Sequence, residues 1–303
     1  MSPQLRKHIY SKDALQVLLI ALPGLVAILL FKYVPLAGNM IAFKNYNLFQ
    51  GVWQSDWVGL DHFRRMFAFE DFGKIFWNSV RLGLYSILFG FPAPLILALL
   101  LNEMRLAWFK RSVQTLLYLP HFLSWVIVGG IFFNLLDVKG FVNKLLGGWG
   151  VAAIDFIGNP DTFIGTIIAI GIWKEVGWGM IIYLAALAGV NPNLYEAAMV
   201  DGASRLKQML HISLPSIMPA IVVLLLLRIG NLLDANIEQM LIFLNPLVRD
   251  VGEVFDTYIY RVGLLGSQFS YTTAIGIFKS VIGLVLIMGV NTLSKRTTGE
   301  SIY

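Results

Sequence analysis

Four histidines, His8, His62, His121 and His211, are the chain's first candidates for proton transfer or metal binding. None forms a His-x3-His pair or stands beside a carboxylate cluster in the sequence, so neither a zinc site nor a general base is expected. There is no cysteine, which excludes a disulfide framework, a thiolate metal site and a cysteine nucleophile. No Gly-x4-Gly-Lys-[Ser/Thr] occurs. Gly73-Lys74 is followed by Ile75 and lacks the preceding glycine, so the chain has no phosphate-cradling loop of its own. No catalytic residue and no metal ligand is expected.

The polar residues that do stand out form an island between long apolar runs: Glu196-Ala197-Ala198-Met199-Val200-Asp201-Gly202-Ala203, closed by Ile212-Ser213-Leu214-Pro215. The Ala-rich stretch Leu194 to Val200 favours a helix. Gly202 can leave the right-handed region without strain and suits a break between two short helices. Leu214-Pro215 removes a backbone donor where the next segment begins. A helix–turn–helix outside the membrane is expected, offering one carboxylate and small side chains to a partner. Small alanines let another protein approach closely, and the charge of Glu196 gives a partner arginine or lysine a grip.

The elements around this island are membrane spans. Of 303 residues, 57% are hydrophobic and 14% charged, with a net charge of +5 and mean hydropathy +0.71; soluble domains carry about 25% charged residues. A hydrocarbon core of ~30 Å needs about 20 apolar residues as helix. Six stretches qualify: Ala14–Tyr33, Ser79–Leu101, Ser112–Leu136, one within Thr162–Val190, Ser216–Leu233 and Tyr271–Leu293. The first exceeds a signal-peptide core and no clear small-x-small site follows it, so it reads as a retained helix. Lys and Arg concentrate in the N-terminal tail (Arg6, Lys7, Lys12), after the second span (Arg105, Lys110, Arg111) and after the sixth (Lys295, Arg296). The positive-inside bias puts these, both termini and the Glu196 loop in the cytoplasm. Val34–Asn78, Asp137–Asp161 and Asp234–Ser270 face the other side. Lys44, Arg64, Arg65 and Lys74 blur the bias there, and Trp53 and Trp57 fit an interfacial belt. The expected domains are residues 1–74 (tail, first span and outer loop), 75–294 (the transmembrane domain) and 295–303 (a cytoplasmic tail). No inverted repeat of the secondary-transporter kind is visible.

Arg81, Lys174, Glu175, Arg228 and Lys279 fall inside or at the edge of apolar runs. A central charge costs on the order of 2.5–3.5 kcal/mol to insert, so such residues face a bundle interior or cavity. They either line a solute path or pair between helices and snorkel to the headgroups. The adjacent Lys174 and Glu175 cannot share one helix face. Arg228, Asn231, Asp234 and Asn236 are the solute-path candidates: they lie near the outer end of the fifth helix, where residues 228, 231 and 235 share a helix face and polar groups reach a cavity. Ala185 with Gly189, and Gly276 with Ser280, are spaced for close helix packing.

At Glu196-Ala197-Ala198, three residues, Gly202, nine residues, Ile212, one residue and Leu214-Pro215, the chain resembles the EAA loop of binding-protein-dependent ABC importer permeases, with every position filled. Smaller motifs are similar to the polysaccharide-type branch, alongside maltose and glycerol-phosphate permeases. They include Phe31-Lys32-Tyr33-Val34-Pro35, Ala42-Phe43-Lys44-Asn45-Tyr46, Tyr118-Leu119-Pro120-His121-Phe122, Asn245-Pro246-Leu247 and Phe269-Ser270-Tyr271. The resemblance implies an all-α integral membrane fold, the six-helix transmembrane domain of a type I ABC importer. It implies a prokaryotic plasma-membrane permease subunit, without its own nucleotide site, that imports an oligosaccharide by alternating access. Its implied partners are a second similar permease, two ATPase subunits that carry ATP-Mg, an extracytoplasmic solute-binding protein and membrane lipid, with no nucleic acid. Glu196, Ala197, Ala198, Asp201, Gly202, Leu214 and Pro215 would couple to the ATPase. The alternative is a gradient-driven secondary transporter or channel. A membrane enzyme would need a convergent acid–base or metal constellation that the sequence lacks.

Overall fold

The computed structural model describes residues 12–297. His8, Arg6, Lys7 and the tail beyond Thr297 lie outside them. The described residues form two compact units, one up to Ala68 together with Val262–Ile277, the other Phe69–Arg261 together with those from Phe278 onward.

In the first unit, α1 (Lys12–Ile28) continues through a π turn (Leu29–Tyr33) and a 3-10 stretch (Val34–Phe43). The helical run therefore extends ten residues past the expected end at Tyr33, because Pro35 sits at the start of the 3-10 stretch, where its missing N–H costs nothing. A two-residue antiparallel ladder follows, β1 (Lys44–Asn45) with β2 (Asp56–Trp57), paired Lys44 to Trp57. Lys44 Nζ donates to the carbonyls of Val52 and Trp53 at 2.8 and 3.1 Å. One of the cations that blurred the charge bias is thus spent on closing this turn. Helix α2 (Asp61–Ala68) ends the segment. Arg65 donates to Gln268 at 2.8 Å and lies 4.6 Å over the Tyr271 ring.

The second unit is helical throughout its long elements: α3 (Phe72–Tyr85), α4 (Pro92–Asn102), α5 (Ala107–Tyr118), α6 (Trp125–Leu136), α7 (Phe141–Gly148), α8 (Pro160–Ala188), α9 (Pro192–Val200), α10 (Met218–Gly230) and α11 (Ile237–Phe243). Helix α12 (Phe269–Thr297) closes the described chain. A π turn at Ser86–Gly90 joins α3 to α4 just before Pro92 and Pro94 remove two donors. Helix α8 is 29 residues long, opened by an Asn159 cap and Pro160. It contributes Phe163 and Ile167 to one core, with Phe243 and Met240, and Met180 and Leu187 to another, with Leu101 and Ile217. Being packed on two sides is why it reads as apolar all round.

Among the described residues, five helices are long and apolar enough to cross a membrane, or six if Arg205–Ser216 and Met218–Gly230, bent by 61°, count as one span. Two expected spans differ in detail. Ser112–Leu136 is not one helix: it breaks at Leu123, which is extended, and Ser124 caps α6 by accepting from the Ile127 N–H. Pro120 has already removed a donor there. The fifth span begins after a bend at Ile217 and stops at Gly230, short of Leu233.

The two glycines singled out by spacing are not where a Cβ would collide with a neighbouring element. Gly276 has open space where a Cβ would stand, and Gly189 is a helix cap. Instead a Cβ on Gly177 would overlap the Leu117 carbonyl of α5, and one on Gly83 the carbonyl of Leu232. Gly177→Ala should therefore lower the unfolding temperature in detergent, at a cost of about 1–3 kcal/mol for overpacking. Gly165→Ala, in the same helix with nothing near, should not.

Candidate functional site

Two features of the second unit are candidates for a site: an exposed loop and a partly open cavity.

The loop begins at α9, capped by Asn191, whose Oδ1 accepts from the Asn193 N–H at 3.0 Å. It ends in a Schellman turn. The Ala203 N–H donates to the Ala198 carbonyl at 2.8 Å and the Gly202 N–H to Met199 at 3.1 Å, with Gly202 at φ +73. A short helix (Arg205–Gln208), a π turn (Met209–Ser213) and Leu214–Ser216 form the second limb. Tyr195 and Ser213 hydroxyls pair at 2.9 Å across the limbs, and Gln208 Nε2 donates to the Ala203 carbonyl at 2.8 Å. Arg205 anchors the loop to α4's end by donating to the Glu103 carbonyl at 2.9 Å. Glu196, Ala197, Asp201 and Gly202 are exposed and Ala198 is half-buried. In the same loop Met199, Leu206 and Val200, the last 89% exposed, are apolar side chains open to a partner. Glu196 has no ion pair among the described residues. Leu214 packs against the second core, whereas Pro215 is exposed.

The cavity, about 550 Å³ and partly open, is lined by residues of α3, α4, α8, α10, the turn after α10 and α11. Arg228, Asn231, Asp234 and Asn236 all line it, with Glu175, Trp178 and Tyr183. The shared helix face expected for residues 228, 231 and 235 does not exist, because α10 stops at Gly230. The turn at 231–236 brings Asn231, Asp234 and Asn236 to the cavity instead, beside Arg228 in the last turn of α10.

Their commitments differ. Asp234 pairs with Lys279 at 2.8 Å, and Lys279 also bonds Asp256, whose other oxygen accepts from the Ala235 N–H at 2.7 Å. Asn231 Nδ2 donates to Leu227 at 2.9 Å, and Asn236 Oδ1 caps α11 by accepting from the Gln239 N–H at 3.0 Å. Glu175 lies 3.2 Å from Lys174 Nζ and 2.7 Å from His121 Nδ1. Lys174, 4% exposed, donates to the His121 carbonyl at 2.7 Å. The His121 ring stacks on Trp178 at 4.5 Å, 4° from parallel. Arg81 donates to the Val251 carbonyl at 3.0 Å. Of the five charges within apolar runs, four are thus engaged by the protein; Arg228 is exposed and has no partner among the described residues.

Sequence reasoning missed His121. Its partner lies 54 residues away, and the only local signal is Pro120, which turns the chain so that the ring faces α8. It also missed that Lys174 and Glu175, on different faces, both reach His121. Outside the spanning segments, Arg261 forks onto Glu253 at 2.8 and 3.0 Å. The hydrogen bond to that carboxylate holds the guanidinium above its ordinary range, against an opposing effect of burial.

A family model described as "binding-protein-dependent transport system inner membrane component" matches residues 90–299. The chain is 47% identical over 286 residues to protein LplB of Bacillus subtilis (strain 168), covering 94% of this chain and 90% of that protein. It is 49% identical over 286 residues to the polygalacturonan/rhamnogalacturonan transport system permease protein YteP of the same organism, covering 94% and 89%. Among solved structures, a bacterial ABC transporter involved in import of the acidic polysaccharide alginate matches at 39% identity with TM-score 0.86, covering 97% of this chain and 99% of that one. The bacterial alginate transporter in complex with an alginate pentasaccharide-bound periplasmic protein matches at 38% with TM-score 0.87, covering 99% and 100%.

Proposed function

This chain belongs to the binding-protein-dependent transport system inner membrane components, and from that premise we propose that it is the permease subunit of an ATP-driven importer carrying an oligosaccharide across a prokaryotic plasma membrane. The observation that carries this reading is the cavity. It is large enough for a few sugar rings, lies among helices apolar enough to span a bilayer, and is lined by amides, charges and the Trp178 ring, a lining suited to hydroxyl-rich solutes. Relatives of nearly equal length are named for polygalacturonan/rhamnogalacturonan transport and for alginate import, which supports a saccharide cargo.

The exposed loop supports the second half of the proposal, coupling. Glu196, Ala197, Ala198, Asp201 and Gly202 present a free carboxylate and small side chains, with exposed apolar side chains in the same loop. That combination suits seating in a cleft of an ATPase subunit, with Leu214 tying the loop to the core behind it and Pro215 exposed beside it. Closure of two ATPase subunits around bound ATP-Mg would then rock this permease and a second, similar one between inward- and outward-open states. A solute-binding protein would deliver the cargo from the far side, opposite both termini and the loop.

Co-purification tests the coupling. The tagged chain, expressed with its partner permease and ATPase subunits, should capture the ATPase stoichiometrically. Glu196→Ala should weaken that capture by about fivefold or more, as loss of an interface residue worth over ~1 kcal/mol would. Wild-type permease that captures no ATPase, yet moves solute on a proton or sodium gradient alone, would establish the gradient-driven alternative.

A further inference from the structure

We propose that Arg228 is a carboxylate-binding residue of the cavity and makes it selective for acidic saccharides, oligomers of uronic acids, over neutral ones; this rests on the permease reading above. The argument is one of charge. Three ionised side chains line the cavity: Glu175, Asp234 and Arg228. Glu175 has Lys174 and His121 as partners, and Asp234 has Lys279. Lys279 serves Asp256 as well, so the charges around the cavity balance overall. What sets Arg228 apart is that its guanidinium alone among the cavity's charged side chains has no ion-pair partner among the described residues.

Position explains part of this. Arg228 stands in the last turn of α10, where a cation complements the helix dipole. That interaction occupies none of its five N–H donors. A guanidinium is a planar fork that matches a carboxylate with two parallel hydrogen bonds. A neutral sugar offers it hydroxyls, which are weaker acceptors and carry no charge. Where a bound solute displaces water from the guanidinium, the difference between a charged and a neutral acceptor is larger than in bulk water. The neighbouring amides suit the rest of a sugar ring. Asn231 keeps its Oδ1 and Asn236 its Nδ2 outside the hydrogen bonds already described, one acceptor and one donor for ring hydroxyls.

The test uses the complete importer in proteoliposomes. The solutes are trimers of galacturonate, mannuronate and guluronate, each beside its fully methyl-esterified, uncharged form. The readout is the ratio of acid to ester uptake, which a merely structural role for Arg228 would not move. Wild type should favour at least one acid over its ester by about tenfold or more, the scale of hydrogen bonds to a charged group. Arg228→Gln should bring that ratio near one. Arg228→Lys, which keeps the charge without the fork, should leave a reduced preference, and it carries the test if the glutamine variant does not assemble. A wild type that takes acid and ester alike, or variants that lose both in proportion, would overturn the role of Arg228 and leave the importer reading standing. A wild-type complex that takes up none of these solutes, nor any neutral oligosaccharide, would overturn both.

Discussion

Lys279→Ala is expected to destabilise the second unit by about 3 kcal/mol, the lower end of the range for breaking a buried ion pair. Its side chain is 11% exposed and holds Asp234 and Asp256 together from α12. Removing the ammonium leaves two carboxylates close to each other without a counter-charge. Asp256, 21% exposed, bears most of the cost; Asp234, 55% exposed, keeps its water. Thermal unfolding in detergent should show the loss directly. A Lys279→Met, Asp256→Asn double variant should recover much of it, because replacing both partners removes the unpaired charge that a single change strands. Double variant and single variant unfolding at the same temperature would show that the cost lies in lost packing of the lysine stem, not in charge. The pair also bears on the cavity, since it fixes Asp234 on the wall and so leaves Arg228 as the free charge there.

The spans were legible because each is a long apolar run, and composition alone carries that signal. The breaks within them were less so. Leu123 and Ser124 sit in a run that stays apolar from Phe122 onward, so hydropathy passes over the point where Pro120 and the Ser124 cap end one helix and begin the next. The turn at Gly202 was legible for the opposite reason: a Schellman cap is local, and a glycine at its left-handed position is written in the residue itself. The cavity lay between these cases. Arg228, Asn231, Asp234 and Asn236 stood out as polar residues near one another in the chain. The reason first given, a shared helix face, fails at Gly230, and the turn after it brings Asn231, Asp234 and Asn236 to the cavity beside Arg228 instead. Pairs formed across the fold, His121 with Glu175 or Lys279 with Asp256, have no local signature. Nor does the converse, that Arg228 has no ion pair among the described residues, which becomes visible only when the other charges of the apolar runs have been assigned.

Gly202→Val is expected to abolish uptake while leaving membrane insertion unchanged, if uptake runs through the loop as proposed. Gly202 holds φ +73 and a Cβ there would meet nothing within 4 Å. The penalty is therefore backbone strain alone, of order 1–3 kcal/mol for a β-branched residue forced into this region. The two Schellman hydrogen bonds, from Gly202 to Met199 and from Ala203 to Ala198, are the bonds that strain would break. Losing them frees the angle between α9 and the second limb, and with it the placement of Glu196 and Ala197 against a partner. The spanning helices gain no clash, so insertion has no reason to fail. This separates conformation from volume. Asparagine is larger than alanine but tolerates the left-handed region better. Uptake and ATPase capture should therefore fall in the order glycine, asparagine, alanine, valine. An order that followed side-chain size would point to steric exclusion at the interface instead of a bent loop. Valine permease that captures ATPase and transports at the wild-type rate would remove Gly202, and the turn it makes, from the coupling surface.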